Sequence, residues 1–169
     1  IFAVATSLIA YTHILREFGV GQYYVQKPQL SRELLRAGFT VMLLVSWTIA
    51  ALLFSTGEIV SKFYSHPGLS DVLSILSINF LILPFGSPIL SLLKREMQFG
   101  SLAVVSIVNS IVQVGVTLTS AYCGQSYMSM AWGSLAGNIA NVLLLSALRP
   151  DCALLTPTVR GIREVISFG

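Results

Sequence analysis

Charge is scarce in this sequence. Only 10% of its 169 residues are Asp, Glu, Lys or Arg, against about 25% in soluble domains. With 54% of the chain hydrophobic, a water-facing shell cannot be assembled from it, and a membrane protein is implied. Cysteine and histidine are scarcer still, two of each. Cys123 and Cys152 fall at opposite ends of one apolar run, about 30 Å of bilayer apart, so they cannot pair. No Cys/His cluster has ligand spacing, so neither a metal site nor a cofactor is expected. Carboxylates are missing from the middle of every apolar run, since Glu58 and Asp71 sit at run ends. His13 alone could titrate inside a span, and beside Thr12 it reads as a packing residue. His66, next to Pro67, has no nucleophile nearby, so no catalytic residue is assigned. The net charge of +3 is not a nucleic-acid footprint, because the bases form no stripe interleaved with stacking aromatics.

What is present is long uncharged runs. There are 21 residues between Arg36 and Glu58, 22 between Asp71 and Lys94, and 52 between Glu96 and Arg149. About 20 apolar residues cross a hydrocarbon core of about 30 Å. The first two runs therefore make one span each, and the third divides into two at Tyr122-Cys123-Gly124-Gln125-Ser126, where Gly124 suits a helix end. Ile1 reads as the cut end of an earlier span. The expectation is an all-α, polytopic transmembrane helix bundle with about five spans, at 1–15, 37–58, 71–93, 100–121 and 127–148. Alternate links hold nine of the ten Lys and Arg residues (Arg16, Lys27, Arg32, Arg36, Lys94, Arg95, Arg149, Arg160, Arg163), and the opposite side holds only Lys62. The positive-inside rule puts the nine in the cytoplasm.

Several local signals refine this picture. Leu30, Ser31, Glu33 and Leu35 have the spacing of a stapled helix start leading into the span from Ala37. After the last span, 149–169 reads as a cytoplasmic amphipathic linker. Thr156 and Pro157 open it, with Val159, Ile162 and Ile166 on one face and Arg160, Arg163 and Glu164 opposite. It would lie along the membrane surface or pack on protein. Ser106, Asn109, Ser110 and Gln113 share one helix face, and Ser134, Asn138 and Asn141 share another. Amides facing hydrocarbon are costly, so both faces should meet protein or a wet cavity. Gly133 and Gly137 make a GxxxG spacing for close backbone approach. Pro84 and Pro88 remove two ladder bonds from the third span, which predicts a bend and a candidate hinge, with Asn79 placed to satisfy a freed carbonyl.

The stretch Arg16-Glu17-Phe18-Gly19-Val20-Gly21-Gln22, with Val25-Gln26-Lys27-Pro28 and Leu30, resembles the FGxGxxxVQ(K/R) loop of bacterial polysaccharide and lipopolysaccharide exporters. These are flippases of the multidrug/oligosaccharidyl-lipid/polysaccharide exporter superfamily. Phe63-Tyr64 with Pro67 and Leu69, and Leu92-Leu93-Lys94-Arg95-Glu96-Met97-Gln98-Phe99, resemble that family's outer turn and its LLRREMxF inner turn. The likeness runs in order through essentially the whole chain.

The resemblance implies that the spans belong to the N-terminal six-helix lobe of a two-lobed transporter in the bacterial cytoplasmic (inner) membrane. The tail would lead toward a C-terminal lobe of the same chain. The implied substrate is an undecaprenyl-pyrophosphate-linked glycan, and the other partner is the phospholipid bilayer. Arg16, Lys94 and Arg95 would attract the pyrophosphate, and Asn109, Gln113, Asn138 and Asn141 would meet sugar hydroxyls. A drug or cation antiporter of the same superfamily would show a buried carboxylate, and a membrane-embedded glycan-modifying enzyme would show a catalytic base with a soluble loop.

Overall fold

A computed structural model describes residues 32–63, 68–125, 128–150 and 158. They form four helices: α1 (Arg32–Phe63), α2 (Gly68–Arg95), α3 (Phe99–Tyr122) and α4 (Met128–Leu148). All four are long and apolar enough to cross a membrane. They cover the expected spans from 37–58 onward, and α1 begins at Arg32, directly after the expected cap residue. The span expected at 1–15, and all of the linker helix except Thr158, lie outside the described residues.

The helices stand in a row whose order is not the chain order. α2 packs against α1 on one side and α4 on the other, while α3 packs on α4 and barely touches α2. Contacts along each pair give the directions. Gly57 lies against Leu73 and Ser70, and the Phe39 and Phe85 rings meet edge to face at 5.8 Å, so α1 and α2 are antiparallel. Asn79 meets Ser134, and Gly86 meets Val142 and Leu145, so α2 and α4 run parallel.

Burial follows from that order. α2, covered on two sides, buries residues through its whole length, whereas α3, at the end of the row, buries only Val105. Two apolar clusters hold the row together. One joins Leu69, Val72, Leu73, Ile75 and Leu76 of α2 to Ala131 and Leu135 of α4. The other, near the opposite membrane face, joins Ile89 and Leu93 to Val105 and Leu145. The uncovered side of α3 carries Val104, Ile107, Ile111, Val114 and Leu118, an apolar ridge suited to acyl chains.

Two turns share one device. After α2, the Gln98 N–H donates to the Leu93 carbonyl at 3.0 Å and the Met97 N–H donates to Lys94 O at 3.2 Å. After α3, Gln125 N–H donates to Ser120 O at 3.1 Å and Gly124 N–H to Ala121 O at 3.0 Å. Each pair is the Schellman pattern, which needs a left-handed residue at its pivot. Gly124 takes that place with φ 83°, as the sequence predicts, but the other pivot is Met97 with φ 53°.

α2 remains a continuous helix through Pro84 and Pro88, both fully buried. Hydroxyls of the next turns back-bond along it: Ser87 Oγ donates to Leu83 O and Ser91 Oγ to Ser87 O, each at 3.1 Å. The helix is therefore not broken at the prolines, and its Gly86 forms the close contact with α4.

Candidate functional site

The polar faces of α3 and α4 meet across a glycine contact. A Cβ placed on Gly133 would collide with Thr117 Oγ1 and come within 2.8 Å of the Gln113 carbonyl oxygen. One placed on Gly137 would come within 2.7 Å of Asn109 Oδ1 and 3.1 Å of Gln113 Cβ. The GxxxG spacing thus seats α4 on the Asn109–Gln113–Thr117 side of α3, antiparallel to it. Only glycine allows this approach without displacing α3.

This contact sorts the candidate residues. Asn109 and Asn141 have amide oxygens that are buried and without a hydrogen-bond partner, and Asn138 is half-buried. Gln113, Ser106 and Ser110 stay exposed along the border of the contact. Ser110 Oγ back-bonds to Ser106 O at 2.9 Å and Thr117 Oγ1 to Gln113 O at 2.8 Å. On α2, Asn79 does not follow its expected role. Its Nδ2 donates across the helix contact to Ser134 Oγ at 3.2 Å, while its Oδ1 is buried and unpaired. Ser46 on α1 is another buried hydroxyl with no partner. From the α1–α2 register it stands near the level of Asn79. The middle of the row therefore holds buried acceptor oxygens on all four helices, each costly to leave unpaired.

The basic candidates lie at one end of the row. Lys94 is exposed and Arg95 half-buried at the end of α2, and Arg16 lies outside the described residues. Glu96, in the turn after α2, forms an ion pair with Arg149 beyond the end of α4, and also accepts from Gln98 Nε2 at 2.8 Å. This pair ties the α2–α3 turn to α4. Charge counting alone gives no sign of it, since Arg149 enters there only as one of the nine cytoplasmic bases.

Thr40 was equally silent in the sequence. Its hydroxyl lies 3.0 Å from the Thr158 carbonyl oxygen, accepts from the Thr158 N–H at 2.9 Å and also faces Arg36 O at 2.8 Å. The chain following α4 is thus held against the first turns of α1. Of the two expectations for the linker, this contact favours packing on protein at Thr158. Among the described residues, no group of three His, Cys, Asp or Glu side chains comes together to hold a metal ion.

A family model described as polysaccharide biosynthesis protein matches residues 1–169. The chain is also similar to the lipopolysaccharide biosynthesis protein WzxC of Escherichia coli strain K12, with 22% identity over 146 residues. That alignment covers 85% of this chain and 29% of the relative, so the chain spans under a third of the length of the curated protein it matches. No solved structure matches.

Proposed function

This chain belongs to the polysaccharide biosynthesis protein family, and from that premise we propose that it forms part of a flippase carrying a lipid-linked glycan across the bacterial cytoplasmic membrane. The task is to take a polar head through hydrocarbon while its lipid tail stays in the bilayer. The observation that carries this reading is the two-sidedness of α3. An apolar ridge from Val104 to Leu118 lies on one side, and the exposed polar border of Ser106, Ser110 and Gln113 lies beside α4.

In this reading the border, with Asn138, offers hydrogen bonds to sugar hydroxyls, and Asn109 and Asn141 hold the α3–α4 contact. Lys94 and Arg95, joined by Arg16, attract the pyrophosphate at the cytoplasmic mouth, at about 1 kcal/mol for each base near a membrane surface. Pro84 and Pro88 are buried on either side of Gly86 along α2, and they let the row flex as a facing C-terminal lobe of the same chain rocks against it. The segment 149–169 is the connector toward that lobe. The protein transports and does no covalent chemistry on the glycan.

The test is a depletion strain of the full-length protein. Undecaprenyl-linked glycan should accumulate on the cytoplasmic leaflet and return to the wild-type level on complementation. Unchanged lipid-linked intermediates together with altered drug efflux would instead identify an antiporter. Gln113→Ala should slow export several-fold at equal membrane level, and Lys94→Glu should do so more strongly.

A further inference from the structure

The two Schellman turns form an internal comparison. Glycine at the pivot after α3 adopts its positive φ without steric cost, whereas Met97 after α2 sets its Cβ against the following carbonyl. The turn's backbone hydrogen bonds hold Met97 there, but side-chain packing adds little, because Met97 is 73% exposed and Phe99, two residues on, is 63% exposed. A strained residue whose side chain packs against little of its own chain points to a contact beyond the chain.

The surroundings identify that contact. Lys94 is exposed beside the turn, and the turn's one acid, Glu96, is engaged by Arg149. What remains is a pair of apolar tips on a basic ground. With 28 and 24 residues, α2 and α3 are about 42 and 36 Å long. Both exceed a hydrocarbon core of about 30 Å, so the turn joining them stands in the headgroup layer.

We propose that the α2–α3 turn is an anionic-lipid anchor. Met97 and Phe99 enter the boundary between headgroups and acyl chains, and Lys94 takes the phosphate of an anionic phospholipid. A protein partner would reach these tips only by displacing the headgroups around them. The anchor shares Lys94 with the proposed cytoplasmic mouth, so its test reads the depth of the turn in lipid and not export.

The test places a nitroxide on Met97→Cys in the full chain carrying Cys123→Ser and Cys152→Ser. The chain is reconstituted in vesicles of phosphatidylcholine alone or with added phosphatidylglycerol. Oxygen and nickel collision rates should set the label about 5 Å below the phosphate plane when phosphatidylglycerol is present, and nearer the water without it. Lys94→Gln should abolish the difference. Water-like collision rates with phosphatidylglycerol, or one depth in both lipids, would overturn the proposal. A second variant guards against a folding artefact. Met97→Gly, in detergent without anionic lipid, should unfold at the same or a higher temperature than the parent. A lower temperature would mean that the side chain packs within the protein, and would refute the anchor.

Discussion

Thr40 shows how much one hydroxyl can do at the end of a membrane helix. It holds both the N–H and the carbonyl of Thr158, 118 positions away, through one oxygen. A side-chain oxygen that both donates and accepts can be replaced in function only by another hydroxyl. Thr40→Ser should therefore leave the linker in place. Thr40→Val, with the same shape and no hydroxyl, should cost about 1 kcal/mol and raise the labelling rate of a cysteine introduced at Thr158. Equal labelling in the Val and Ser variants would show that the hydroxyl does not hold the linker.

At the scale of elements, the α3–α4 pair rests on two missing side chains. Gly133→Ala should push the helices apart and lower the unfolding temperature by several degrees, because the added methyl meets the Gln113 backbone oxygen as well as Thr117. Thr117→Ala in the same chain should recover part of the loss, since it removes the hydroxyl clash and leaves the backbone one. Gly115→Ala, with nothing within 4 Å of the added methyl, should instead stabilise α3 by about 0.5–1 kcal/mol. A fall in stability for Gly115→Ala comparable to that for Gly133→Ala would remove the geometric argument. A close contact at Gly133 and Gly137 was legible in advance, because small residues four apart beside amides specify one by local spacing alone, but its partner α3 was not. The spans were legible for a similar reason, since charge marks their ends. The partner of Asn79 was not, because local sequence does not say which helix stands opposite, and the same holds for Glu96 and Arg149. The strain at Met97 was hidden too. The chain around it reads as an ordinary inner turn, and only its φ sets it apart from Gly124.

Across the whole molecule, the Glu96–Arg149 pair closes one end of the row and changes what a charge reversal tests. Arg149→Glu would set two carboxylates side by side, so it should impair folding and export together. Adding Glu96→Arg should restore both if the pair serves only to fasten α4 to the turn. If export stays low at a restored membrane level, Glu96 or Arg149 touches the substrate. The order of the row reaches further than this, into biosynthesis. Helices leave the ribosome in chain order, so α1 and α2 enter the bilayer as neighbours that already fit, and α3 follows with almost nothing on α2 to grip. Its amides must wait in the lipid or the translocon until Gly133 and Gly137 have been synthesised. The interval between making α3 and making α4 is then the stage at which a nascent chain is most exposed to quality-control proteases.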